Sequence, residues 1–129
     1  MVTIEDVRPL ALQLPRSYEA RVRDGVRFRV GRIVYLGFSH DEEVMGFAFP
    51  KEERDDLVAA EPHKFLLPRQ RDLRYNWVAV RLAQLDLTEM RELILEAWSM
   101  VVPKTVSVAY FESVNGITDS QGPAVDAQG

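Results

Sequence analysis

The side chains best suited to chemistry in this sequence are arginines, and they come in two runs. Arg16, Arg21, Arg23, Arg27, Arg29 and Arg32 face only Glu19 and Asp24 within their stretch, and Arg69, Arg71, Arg74 and Arg81 face only Asp72. Between the runs lies an acidic block, Asp41, Glu42, Glu43, Glu52, Glu53, Asp55, Asp56 and Glu61, broken by Lys51 and Arg54. Arginine's planar fork suits phosphate or carboxylate recognition. Arginines laid along hairpin strands can follow a nucleic-acid backbone, with Tyr18 and Tyr75 near enough in sequence to stack on bases. This makes Arg21, Arg23, Arg27, Arg29, Arg32, Arg69, Arg71 and Arg74 a candidate DNA-contacting set. Two observations weigh on the other side. The formal net charge is −4, from 16 basic and 20 acidic residues, which disfavours bulk affinity for a polyanion. The exposed positions of the main amphipathic helix carry Glu89, Glu92 and Glu96, a poor recognition surface. The same charges fit solvated strand faces, or a surface for a protein partner or another copy of the chain.

Other chemistries find less support. His40 with Asp41, Glu42 and Glu43 offers oxygens to a hard cation, yet consecutive residues of a tight turn point in different directions. His63 follows Pro62 at a helix end, where histidine commonly meets the last carbonyls. No nucleophile elbow, dinucleotide fingerprint or P-loop is present. The expectation is therefore a non-enzymatic chain with no cofactor and no metal. Trp77 and Trp98 read as packing residues of a sheet–helix interface. A pocket lined by Trp77 and convergent polar groups would instead point to a small ligand.

These residues need a scaffold, and the length of 129 residues suits one domain. The expected domain spans 1–111, and 112–129, rich in Gly, Ser, Asn, Asp and Gln, reads as a disordered tail. There is no cysteine, which excludes disulfides and thiolate metal sites. No apolar run is long enough for a membrane span, and the N-terminus lacks a leader pattern. A cytoplasmic location is expected.

The hydrophobic periods give the elements. Ile4, Val7, Leu10, Ala11 and Leu14 predict a first helix, capped by Thr3 and Asp6 and interrupted at Pro9. From 17 to 49 the period becomes two. Asp24-Gly25 predicts one hairpin turn, Gly31-Arg32 a second and His40 to Glu42 a third, giving a four-stranded meander. The length of the Gly31-Arg32 loop fixes the register. Two residues would place Arg27 and Arg29 on the face of Val34, Leu36 and Phe38, and three would place them with Ile33 and Tyr35. Pro50 to Ala60 predicts an acidic helix with Leu57 and Val58 as its apolar contacts. Phe65 to Leu67 and Tyr75 to Leu82 predict two more strands, the second with Trp77, Ala79 and Arg81 on one face. Met90, Leu93, Ile94, Ala97, Trp98 and Val101 hold an unbroken helical stripe, capped by Asp86 and Glu89 and stopped at Pro103. The fold class is α+β, an antiparallel sheet covered by helices in two layers.

This order resembles the MmcQ/YjbR family of small bacterial proteins. Phe28-Arg29-Val30-Gly31-Arg32 is similar to that family's F-x-V-G-G-K hairpin, Asn76-Trp77-Val78-Ala79-Val80 to its tryptophan strand, and Ala97-Trp98 through Pro103-Lys104 to its terminal aromatic with a Pro-Lys close. Arg32 stands where a second glycine is common and Ile33 where a lysine is frequent. The likeness spans roughly residues 3–110. It implies a frataxin-like or secretion-chaperone-like sandwich, and DNA binding of the kind often ascribed to the family through a double-wing arrangement of strands.

Overall fold

The computed structural model of the chain describes residues 2–23 and 25–121, with side chains as far as Val114. Its elements are α1 (Ile4–Gln13), β1 (Ser17–Val22), β2 (Gly25–Val30), β3 (Ile33–Phe38), β4 (Val44–Ala48), α2 (Lys51–Ala60), β5 (Phe65–Leu66), β6 (Trp77–Arg81), α3 (Leu87–Ser99) and α4 (Lys104–Gln121). The strands form one antiparallel sheet in the order β1-β2-β3-β4-β6-β5. The expected meander, the two further strands and the α+β sandwich are all present.

Alternation builds the layers. Val26, Phe28, Leu36, Phe38, Met45, Phe47, Val78 and Val80 are buried, and α1 and α3 pack over them with Val7, Leu10, Met90, Ile94 and Trp98. Trp98 is fully buried, and its indole N–H donates to the Pro15 carbonyl at 2.9 Å. That bond ties α3 to the connection between α1 and β1. Helix α1 accommodates Pro9 without a break, and the Asp6 carboxylate accepts from the Thr3 amide at 2.9 Å, as its capping pattern predicts. Asp86 caps α3 by accepting from the Glu89 amide at 2.7 Å.

The register at Gly31-Arg32 combines both readings. The loop has two residues, with Val30 opposite Ile33 and Arg29 opposite Val34, and Gly31 takes the positive φ of +60° that this turn favours. A bulge then intervenes, so that Phe28 faces Leu36 and Arg27 faces Gly37. Tyr35 and Leu36, consecutive in sequence, are both fully buried. The Tyr35 hydroxyl lies 2.6 Å from Ser17 Oγ, and burial pushes its pKa up to about 12. In the first hairpin the ladder starts one residue earlier than the dipeptide Asp24-Gly25 suggests, with Val22 paired to Gly25. Asp24 itself lies outside the described residues.

Two readings need correction. The stripe ending at Val101 is not the last helix, because α4 follows it. Pro103, read as a stop, also opens α4: its carbonyl accepts from the Val106 and Ser107 amides. Tyr110 and Phe111 set their ring edges against Trp98, with centroids 5.2 and 6.0 Å away. Helix α4 runs on to Gln121, past the boundary placed after Phe111. The remaining tail, 122–129, lies outside the described residues.

Candidate functional site

The strand register sorts the arginines into separate groups. Ala48 pairs with Trp77, so the Gly31-Arg32 turn, the end of β4 and the 67–76 connection into β6 share one end of the sheet. Arg32 is exposed in that turn, and Arg69, Arg71 and Arg74 are exposed on the connection around a short 3-10 turn, Gln70–Asp72. Arg74 donates to the Tyr75 hydroxyl at 2.8 Å and sits over its ring, 4.8 Å from the centroid. Arg21 and Arg23 are exposed at the opposite end, the length of a six-residue strand away, about 17–20 Å. The acidic turn between β3 and β4 shares that end. Arg21 pairs with the buried Val26, so it lies on the helix-covered side of the sheet, whereas Arg27 and Arg29 lie half-buried on the other side.

Among the described residues, no ion pair joins the acidic block to the candidate arginines. Among the described residues, Arg69 alone of the candidate set forms an ion pair, its Nε lying 3.9 Å from Asp72. Of the block's carboxylates, only Glu61 joins an ion pair, with Lys64 at 3.7 Å. Asp41 instead organises its own turn. It accepts from the Ser39 hydroxyl at 2.7 Å and from the Glu43 amide at 3.0 Å, and these bonds lower its pKa. No group of three or more metal-ligating side chains converges among the described residues, and no helix there is long and apolar enough to cross a membrane.

The sheet face opposite α1 and α3 holds a groove of about 770 Å³. Gly37, Gly46, Ala48 and Ala79 line it, with Trp77 lying over Gly46 and the Arg27 stem over Gly37. Trp77 explains the glycines. A methyl group on Gly46 would come 2.5 to 2.8 Å from three indole atoms, so the ring lies directly on the bare backbone. A methyl on Gly37 would meet Arg27 Cδ at 3.1 Å and Nε at 3.4 Å. Arg27 Nη1 donates to the carbonyls of Val26 and Phe38 at 3.1 and 3.2 Å, which fixes the guanidinium across β3. Arg69, Tyr75 and Asn76 border the same groove from the connection, and Leu66, Leu67 and Pro68 add an apolar wall. Of the candidate arginines, therefore, the groove gathers Arg27 and Arg69. Arg29 lies on the same sheet face, where its Nε is buried with no acceptor among the described residues.

A further arginine, outside the candidate set, holds the groove's wall. Arg54 is the buried residue of α2, only 6% exposed, and it donates to the carbonyls of Leu73, Tyr75 and Trp77 at 2.8 to 3.0 Å. Lys51 Nζ donates to the Arg74 carbonyl at 3.1 Å, and the Phe49 amide donates to the Asn76 carbonyl at 3.2 Å. Asn76 Oδ1 in turn accepts from the Lys51 amide at 3.0 Å, at the start of α2. Every carbonyl from Leu73 to Trp77 is thus drawn toward residues 49–54. The sequence carries one signal of this, a single arginine inside the acidic run Glu52-Glu53-Arg54-Asp55-Asp56.

The protein "Deinococcus radiodurans protein DR2400", which carries a domain of the DUF419 family, has a similar crystal structure with a TM-score of 0.69. The two share 23% identity over 81% of this chain and 82% of that one, a likeness of fold. No curated protein matches the chain. The YjbR family model matches residues 12–100, from the end of α1 to the end of α3, and the chain belongs to the YjbR family.

Proposed function

We propose that this YjbR-family domain makes weak, salt-dependent contacts with nucleic acid through the arginines at one end of its sheet. The observation that carries the reading is the shared position of Arg32 and the Arg69–Arg74 connection, with Arg32, Arg71 and Arg74 exposed and free of ion pairs among the described residues. Tyr75, 52% exposed beside Arg74, supplies a ring for a base. The same geometry argues against the double-wing form of the idea. Arg21 and Arg23 stand at the far end of their hairpin beside the Asp41–Glu43 turn and cannot extend the same strip. The exposed carboxylates of α2 border the strip, which with the net charge of −4 keeps the affinity in the nonspecific range. A cytoplasmic setting, where nucleic acid is at hand, suits a chain without cysteine.

Fluorescence anisotropy with labelled single-stranded and duplex oligonucleotides at 20 and 150 mM salt tests the proposal. Binding at tens of micromolar protein and low salt, lost in an Arg32→Glu, Arg71→Glu, Arg74→Glu variant and kept in Arg21→Glu, Arg23→Glu, is the expected result. No binding at low salt overturns it, as does equal loss in both variants. If sedimentation instead shows a dimer that the first variant dissociates, the strip is a protein interface.

A further inference from the structure

We propose that the groove on the open sheet face is a binding site for a small organic anion with a flat apolar body. This inference does not rest on the nucleic-acid reading: the two share Arg69 and Tyr75 at the groove's border, but the anion site needs Arg27 and Trp77 and not Arg32, Arg71 or Arg74. The groove's volume of about 770 Å³ falls in the range of small-ligand pockets. Such sites are mostly apolar with a few placed polar groups, and this one carries Arg27 toward one side and the apolar Leu66, Leu67 and Pro68 toward the other.

Two features turn a hollow into a receptor. The first is the state of Arg27. Its Nη1 is engaged by two backbone carbonyls, while its Nε and Nη2 have no acceptor among the described residues. The Nε–Nη2 edge is the pair of parallel N–H groups that binds a carboxylate or phosphate bidentately. Immobilising the other nitrogen orients that edge beforehand, so a ligand loses little freedom in meeting it. Among the described residues no carboxylate lies within ion-pair distance of Arg27, and Asp72, which also lines the groove, pairs with Arg69 instead. The second is the seating of Trp77. One face of the indole rests on Gly46 while the residue borders the groove, so a rigid aromatic plane stands beside the charged fork. A flat ring stacked on Trp77 and an acidic group on Arg27 would fill both at once. Ala79, between Gly46 and Leu66 in the same cross-strand row, keeps the space between them clear.

Carboxylate and phosphate share this chemistry, and titration with 2-naphthoate and with adenosine monophosphate separates them. The readout is the intrinsic emission of the intact protein, which reports on Trp77 because Trp98 is sealed in the core. Calorimetry gives the stoichiometry. We expect saturable binding of one ligand per chain with a change in emission, for at least one of the two probes. Arg27→Met should weaken it at least tenfold. Ala79→Leu, which adds a side chain to the open face beside the Trp77 ring and three strands from Arg27, should weaken it similarly in a protein of unchanged thermal stability. The Arg32→Glu, Arg71→Glu, Arg74→Glu variant should bind both probes as the parent does, even where it has lost oligonucleotide binding. No saturation by either probe up to 5 mM refutes the site, a ceiling of about −3 kcal/mol being weaker than any useful affinity. Equal affinity in the parent and in Ala79→Leu also refutes it, since the ligand would then lie elsewhere.

Discussion

Replacing Arg54 by methionine should loosen the 69–77 connection more than any exposed substitution in the domain. The guanidinium donates three hydrogen bonds to main-chain carbonyls from a side chain that is 6% exposed. Methionine keeps much of the apolar stem and removes every donor. Each carbonyl left unpaired in a buried position costs about 1–3 kcal/mol, but the connection is partly solvated and water can recover some of that. Arg54 has no carboxylate partner among the described residues, so removing it also relieves the desolvation of a buried charge. The balance is a loss of about 3 kcal/mol, a large share of the roughly 5–15 kcal/mol that holds a domain together. With a urea slope near 2 kcal/mol per molar, the unfolding midpoint should fall by about 1.5 M. Urea melts followed by far-ultraviolet circular dichroism measure the midpoint, and native-state amide exchange at 69–77 shows where the loss falls. If Arg54→Met shifts stability by less than about 0.5 kcal/mol, the connection is held by its own packing and the account of α2 as its clamp is wrong.

Three further outcomes follow from the packing. Tyr35 ionises in the unfolded chain near its ordinary pKa of 10 but resists in the fold up to about 12, so its contribution is intact below pH 10. Between pH 10 and 12 stability should fall by about 1.4 kcal/mol per pH unit. Urea melts across that window check the slope, and an unchanged slope in Tyr35→Phe would assign it to another group. Glu89 accepts from Lys64, a lysine 9% exposed whose pKa this bond raises. Glu89→Gln should cost only about 1 kcal/mol, because Glu61 stays 3.7 Å from the ammonium. Thermal melts of Glu89→Gln beside a Glu61→Gln, Glu89→Gln double variant, which should lose clearly more, check it. Single-tryptophan variants should differ in emission: Trp77→Phe leaves a blue-shifted signal protected from acrylamide, and Trp98→Phe leaves a red-shifted, quenchable one, since Trp98 is fully buried and Trp77 borders an open groove. Equal quenching of the two would contradict the placement of Trp77.

Periodicity made the scaffold legible, and it failed where two signals overlapped. The stripe Met90 to Val101 and the alternation in β4 each had one interpretation, because a single buried face dictated both. Helix α4 was hidden by Pro103, whose ring ends α3 and whose carbonyl also starts the next helix. The period is present in Val106, Tyr110 and Phe111, but the stripe that carries Trp98 points that residue to the sheet and so gives these three no evident partner. The bulge at Tyr35 carries no mark in sequence, since two adjacent apolar residues fit either face. The candidate site is legible in sequence only in pieces. Arginine runs were visible, but strand register decided which of them share an end of the sheet, and it divided Arg21 and Arg23 from Arg32. The sequence marks Trp77 as a candidate pocket residue, but the small residues beside it, Gly37, Gly46 and Ala79, carry no chemical signal until the ring is seen lying on Gly46.

The extra residue in β3 also limits how this protein can vary. Upstream of Tyr35 the strand's odd-numbered side chain Ile33 pairs on the side of Val30; downstream, the even-numbered Leu36 and Phe38 take that side. Deleting one residue there would straighten the ladder yet force half of the strand to exchange its oily and wet sides. Homologues of this chain are therefore expected to lengthen or shorten at the Gly31-Arg32 and His40–Glu43 loops while keeping the residue count of β3 fixed, a pattern that aligned sequences would reveal directly.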